Sequence, residues 1–327
     1  MRSYNDLINY IYSDRSLNFS KCENISLVFQ KLIRKDILEN SRNKKWFLES
    51  VINIQRSINN VSKIIENFAK RIEKQRVDLE KLGYENIFEN EKDKCLKLKT
   101  ASRLVVGLGA GHVLETSLTL HHIFGIPYIP GSALKGVVRM VNFWEIAEKL
   151  NKKSDEDIEK LQKQLYNDEN LNSDKNDSDK NVILKHKLLF GTQNFKGLLV
   201  FLDAYPEIQI KQQIFELDVM TPHYQGYYTK NQVPGDWENP NPIPFLTVKK
   251  GITFCFNVLF DKFRAERILT LKDDEFTNAN VAKEIIKEWL SNDFSKISQD
   301  VKEWIEEALT EFGVGAKTRL GYGIFEE

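Results

Sequence analysis

The chain has 327 residues, with 47 Lys and Arg against 47 Asp and Glu, so its formal net charge is zero. That length suits one large or two ordinary domains, and the charge balance denies the chain an overall basic character while leaving local basic patches open. No run of about 18 apolar residues occurs, which excludes a membrane-spanning helix, and the three separated cysteines, Cys22, Cys95 and Cys255, argue for a reducing cytoplasm and against a zinc site or disulfide framework.

The first residues, Met1-Arg-Ser-Tyr-Asn-Asp, carry no apolar leader. Residues 1–98 read as a helical accessory lobe. Leu27, Phe29, Leu32, Ile33 and Ile37 recur at helical spacing, as do Val51, Ile54, Ile58, Val61, Ile65, Phe68 and Ile72. Charged residues fill the gaps, and such runs are usually solvated faces. Thr100–Leu108 is β-branched and aliphatic and predicts a strand ending in glycines. The following Gly107-Leu-Gly-Ala-Gly-His112 imitates a dinucleotide loop, but His112 stands where a third glycine or alanine is needed. His112–His122 then reads as a connection or a second short strand.

Ile126-Pro-Tyr-Ile-Pro-Gly-Ser132 predicts a rigid turn with Ser132 as the N-cap of a helix running to about Leu150. Leu134, Val137, Val138 and Val141 make its inner face. Ser132, Lys135, Gly136 and Arg139 share another face, and a cap, open N–H groups and two cations at a helix start suit a phosphate. Residues 151–182, rich in Asn and Asp, predict a polar flexible insert. Phe195–Tyr205 and Ile208–Val219 read as strands. Residues 225–244 hold Tyr227, Trp237 and four prolines and predict an irregular aromatic loop, with Tyr224 just before it. Phe245–Phe260 is β-rich.

Helices fill 279–312. Val301, Trp304, Ile305, Ala308, Leu309 and Phe312 form one apolar face, and Gly313 is placed as a left-handed cap. Then comes Gly313-Val-Gly315-Ala-Lys317-Thr318-Arg319-Leu-Gly321-Tyr322-Gly323. Ala316-Lys-Thr318 imitates the end of a P-loop, but its glycine sits one residue too early and no helix follows. Backbone N–H groups, two cations, a hydroxyl and the Tyr322 ring in one loop are what hold a phosphodiester and stack on a base. Tyr322–Phe325 closes as a short strand. From Thr100 the order is strand, helix, strand, strand, helix, strand, which is the split βαβ order.

The glycine loop closely resembles the C-terminal signature of the RAMP superfamily, the repeat-associated proteins of CRISPR effector complexes. Glu115-Thr-Ser-Leu-Thr-Leu-His-His122, Gly125-Ile-Pro-Tyr-Ile-Pro-Gly-Ser-Ala-Leu-Lys-Gly136, Asp218-Val-Met-Thr-Pro-His-Tyr224 and Asn239-Pro-Asn-Pro-Ile-Pro-Phe-Leu-Thr-Val248 resemble one subunit family within it, the sixth RAMP subunits of type III-B (Cmr) complexes. The resemblance covers roughly residues 100–327. It implies an α+β fold: a modified ferredoxin-like, RRM-like RAMP domain over 99–327, with the 1–98 lobe and the insertions added. It also implies an RNA-binding subunit without catalysis or cofactor. Its implied partners are a guide RNA bound toward its 3′ end, target RNA, other RAMP subunits and the small helical subunit of the complex.

Under that reading Gly313, Gly315, Lys317, Thr318, Arg319 and Tyr322 hold RNA together with Ser132, Lys135 and Arg139. Tyr224, Tyr227 or Trp237 would stack on bases. No metal ligands are expected. The alternative is a metal-independent ribonuclease using His121, His122 or His223 as general acid or base, since some relatives process guide RNA. No carboxylate stands at a fixed spacing to orient any of these histidines.

Overall fold

A computed structural model describes residues 24–31, 33, 35–38, 41–57, 61–91, 93–167, 177–209, 212–223, 226–227, 233, 239–271, 279–291 and 294–327. Helices α1 (Ile25–Lys31), α2 (Ser41–Ser57) and α3 (Val61–Lys81) come first, with a single helical turn at Lys35–Leu38 between α1 and α2. Strands β1 (Tyr84–Asn86) and β2 (Leu96–Thr100) precede α4 (Gly131–Lys149), α5 (Asp155–Tyr166) and α6 (Asp177–Phe190). Six strands follow: β3 (Leu199–Phe201), β4 (Tyr205–Pro206), β5 (Phe215–Met220), β6 (Ile243–Val248), β7 (Thr253–Phe256) and β8 (Val258–Asp261). Helices α7 (Lys262–Thr270), α8 (Ala279–Ser291) and α9 (Ser295–Glu307), a π turn (Ala308–Phe312), a 3-10 turn (Thr318–Leu320) and β9 (Phe325–Glu326) complete the chain.

The central sheet has the order β4-β7-β2-β9, and each neighbouring pair is antiparallel. In β2 the side chains alternate: Leu96, Leu98 and Thr100 are buried and Lys97 and Lys99 are half-buried. That period of two is what a strand with one covered face requires. Phe254 and Phe256 of β7 meet Phe325 of β9 edge-on, with centroids 5.8 and 5.4 Å apart. Ile297, Val301 and Ile305 of α9 and Leu134, Val138 and Val141 of α4 supply helical stripes to the same core. A second sheet, β1-β8-β3, continues from β7 through β8. Strands β5 and β6 pair as a separate ladder from Phe215↔Val248 to Met220↔Ile243.

Several expectations are corrected. The first strand of the central sheet is Leu96–Thr100, not Thr100–Leu108. Beyond it only Leu104 bridges, to Val248, while Leu104, Val105 and Val106 are buried as anchors of an irregular segment. Hydrophobic burial was legible there, but ladder partners were not. The lobe expected over 1–98 shares its core with the rest: β1 pairs with β8, and Phe29, Phe47 and Val51 join the cluster that contains Phe254 and Phe325.

The stretch expected to be a flexible insert is largely helical. Ser154 caps α5 by accepting from the Asp157 N–H at 3.2 Å, and Asp155, Glu156 and Asp157 fill the first turn, where the helix dipole favours them. Leu161, Leu165 and Ile183 bury against Ile146 and Ala147 in a small second cluster. A sparse stripe on a polar helix looks like low hydrophobicity when only composition is read. Residues 168–176 lie outside the described residues.

A disulfide joins Cys95 and Cys255 with Cα atoms 5.9 Å apart, which overturns the expectation that the separated cysteines form none. The partners are 160 residues apart. The β2–β7 pairing, which sets Lys97 opposite Cys255, brings them together.

Candidate nucleic-acid interface

Helix α4 begins at Gly131, and the residue ahead of it is Pro130, whose side chain offers no cap. Ser132 is therefore inside the helix and exposed, not the expected cap. The first N–H is taken instead by a distant carboxylate: Gly131 donates to Asp203 Oδ1 at 2.8 Å. Glycine is required at 131, because a Cβ there would lie 2.1 Å from the Phe201 carbonyl oxygen. The helix start is thus packed on the strand link β3–β4 and already carries an anion.

The cations of this face are different. Lys135 and Arg139 are half-buried. Burial holds the Lys135 ammonium below the usual lysine range, and the nearby Arg139 and Lys196 push the same way. Burial lowers Arg139 as well; the one opposing influence is Tyr166, whose ring lies 5.6 Å from the guanidinium carbon. Neither cation has a carboxylate partner among the described residues. Between them Gly136 is exposed, and a Cβ there would meet nothing within 4 Å. The helix therefore presents an open notch flanked by two desolvated positive charges.

Beneath them His186 of α6 is buried, with Nδ1 2.6 Å from Asn142 Oδ1 and Nε2 without a partner. Burial depresses it to about 3, helped by Arg139, Lys187 and Lys135. Asn142 Oδ1 can only accept, so Nδ1 carries the proton. A folded-state pKa below the unfolded one means that the unfolded chain takes up a proton first as the pH falls, so stability drops with falling pH. Between about pH 6.5 and about pH 5.5 this group alone removes about 1 kcal/mol. Urea unfolding at the two pH values checks it: His186→Gln is expected to lose that increment, and an unchanged pH dependence would refute the assignment.

The glycine loop is ordered by its own backbone. Gly313 has φ +73° and ψ 169°, a conformation for glycine rather than the expected left-handed cap. The Val314 N–H donates to Gly323 O, Ala316 to Val105 O, Leu320 and Tyr322 to Lys317 O, Gly321 to Thr318 O and Gly323 to Arg103 O. Most N–H groups expected to face a ligand are therefore spent within the protein. Gly315 closely approaches Val105, whose carbonyl oxygen would lie 2.4 Å from an added Cβ.

The side chains divide in two. Tyr322 turns inward. Its hydroxyl donates to Asp218 of β5, its ring lies 6.4 Å from Phe245 of β6, and burial with that hydrogen bond pushes it up to about 12. Arg103 bridges Asp218 and Glu216 at 3.2 and 3.0 Å. Arg319 turns outward, whereas Lys317 is half-buried. Lys317 has a left-handed backbone (φ +62°) and its Nζ lies 5.4 Å from the Phe245 ring centre, a cation–π geometry. Arg319 is exposed, Thr318 half-buried, and neither cation has an ion pair among the described residues. The sequence offered no local sign of Asp218, Phe245 or Arg103 as partners of this loop, since Tyr322 and Asp218 are 104 residues apart.

The candidate acid–base histidines do not form a constellation. His121 Nδ1 accepts from the N–H groups of Ile123 and Phe124 at 3.2 and 3.3 Å. Its ring lies among Phe68, Phe124, Tyr128 and Tyr205, and burial lowers its pKa. His122 is exposed beside it. His223 is exposed after β5, and the charges acting on His121 are Asp203, Arg71 and His122, not His223. Of the stacking candidates, Tyr227 is exposed, while Tyr224 and Trp237 lie outside the described residues. No group of three or more His, Cys, Asp or Glu able to hold a metal occurs among the described residues.

The family profile described as RAMPs, the RAMP superfamily, matches residues 97–326. The CRISPR system Cmr subunit Cmr6 of Pyrococcus furiosus is 32% identical over 355 residues, covering 92% of this chain and 93% of that protein. The crystal structure of Cmr6 from Pyrococcus furiosus is similar at 34% identity, covering 71% of this chain and 95% of that one, with a TM-score of 0.39. A chain of the cryo-EM structure of the type III-B Cmr-beta bound to cognate target RNA is 19% identical, covering 99% of this chain and 86% of that one, with a TM-score of 0.49. The chain belongs to the RAMP superfamily and, within it, to the Cmr6 subunits of the type III-B CRISPR system.

Proposed function

We propose that this subunit binds RNA without chemistry of its own, holding the guide RNA toward its 3′ end and the target RNA paired with it. Its protein partners are other RAMP subunits and the small helical subunit of the complex. The observation that carries this reading is the pair Lys135 and Arg139: half-buried, of like charge, and without a carboxylate among the described residues. Burying uncompensated charge is unfavourable. A polyanion that supplies the counter-charge makes the arrangement favourable, and phosphodiesters do so. Lys317 and Arg319 form the second contact.

Two features support placing both contacts on one strand of RNA. Trp304 of α9 donates to Glu145 in the last third of α4 at 2.7 Å, and the π turn after α9 also packs on α4. This packing sets α9, its π turn and the glycine loop that follows alongside α4. The order β4-β7-β2-β9, with α4 between β2 and the β3–β4 segment and α9 before β9, fits the ferredoxin-like, RRM-like arrangement. The histidines are read as structural, because the one His121 nitrogen seen to bond accepts from backbone.

Lys317→Ala combined with Arg319→Ala tests the reading on guide-type single-stranded RNA. The expected result is an affinity loss with a salt slope flattened by about 1.4, at about 0.7 per lost phosphate contact. Unchanged affinity at every salt concentration would remove the glycine loop from the interface.

A further inference from the structure

The apolar stripe of α9, through Ile297, Val301, Ile305, Ala308 and Leu309, is buried. Continued at helical spacing it places Phe312 in the core. It does not go there. The last turn is a π turn, in which the Gly313 N–H bonds to Ala308 O, five residues back, at 2.9 Å. A wider turn advances each residue less around the axis, and Phe312 comes out 40% exposed. Its ring has no aromatic partner among the described residues.

Phe312 leads directly into the basic loop. At Gly313 an added Cβ would lie 3.1 Å from Tyr322 O and 3.0 Å from Gly323 O, so the residue after Phe312 is where the two arms of the loop meet. In that loop the Tyr322 ring, the one the sequence offers for stacking, is held inward by Asp218 and Phe245. Phe312 is an exposed aromatic ring on the turn that opens the loop carrying Lys317 and Arg319. An exposed ring next to cations without carboxylate partners is the pairing that single-stranded nucleic acid requires: a platform for the base and charges for the backbone.

We propose that Phe312 is a base-stacking residue, taking an unpaired RNA base on its ring while Lys317 and Arg319 hold the adjoining phosphates. This rests on the RNA-binding reading and adds to it a residue and a recognition mode. The π turn is the device that presents the ring.

The test uses the full chain with a fluorescein-labelled single-stranded RNA read by anisotropy, and the same RNA carrying 2-aminopurine. Phe312→Ala is expected to weaken binding roughly 5- to 150-fold and to abolish 2-aminopurine quenching. Phe312→Tyr, which keeps the ring, is expected to stay within about twofold. Thermal unfolding of both variants is expected to match the parent, since the ring is exposed. Parent-like binding by Phe312→Ala, with Lys317→Ala plus Arg319→Ala still defective, overturns the stacking role and leaves the RNA reading standing. Parent-like binding by both sets overturns both. If Phe312→Ala binds RNA normally but no longer joins purified partner subunits, the ring is a protein contact and the proposal is wrong.

Discussion

Lys135→Met combined with Arg139→Met is expected to weaken RNA binding by about 100-fold while leaving the protein as stable as before, or more so. Methionine keeps the apolar stems, which contribute packing of their own, and removes only the charges. Each lost charge-assisted phosphate contact accounts for about 1.5 kcal/mol, so two give about a hundredfold. The salt slope should fall by about 1.4 for a single strand. Stability should move the other way, because the two cations repel each other, are desolvated and have no carboxylate in reach among the described residues. Replacing uncompensated buried charge by apolar groups relieves that cost. His186 reports the same relief: with two of the three cations that depress it gone, its pKa should rise from about 3. Anisotropy across a salt series and urea unfolding measure the two halves. Intact RNA affinity together with lost stability would make Lys135 and Arg139 structural residues and leave the open notch at Gly136 without a ligand.

Gly323→Ala is expected to destabilise the fold by about 2–5 kcal/mol, and Gly321→Ala by about 1–2 kcal/mol. Both glycines have positive φ, +70° and +83°. An L side chain in that region is strained by about 1–2 kcal/mol. The two differ in space. A Cβ at 323 would sit 2.0 Å from the Val314 carbonyl oxygen, a backbone atom whose own residue is tied to Gly323 by the Val314 N–H at 3.0 Å. A Cβ at 321 meets nothing within 4 Å. Overpacking against rigid backbone adds about 1–3 kcal/mol at 323 alone. Urea unfolding of the two variants side by side gives the difference. Equal losses would mean that the two arms of the loop are not held together as the structure has them.

What could be read along the chain was what repeats along it. The alternation of β2, the stripe of α9 from Val301 to Leu309, the inner face of α4 and the cations at 135, 139, 317 and 319 are local patterns, set by which face of an element is covered. The glycine-loop signature was legible for the same reason, because positive φ and close backbone approach demand glycine at fixed intervals. Segments 151–167 and 177–182 were misread because a thin apolar stripe is diluted by the polar residues of the outer face.

Other features depended on residues that meet only after strands are ordered. Asp203 caps α4 from 72 residues away, Asp218 engages Tyr322 from 104 away, and Cys95 reaches Cys255 across 160. No periodicity records such pairs. The turn that brings Phe312 out of the core is closed by the Gly313 N–H on Ala308 O, which apolar spacing does not record, so the spacing pointed inward. Residue type and rhythm thus decide which faces are apolar and which cations exist. Strand order decides which of those cations are left with no acid beside them, and so which of them can take an RNA backbone under the proposed function.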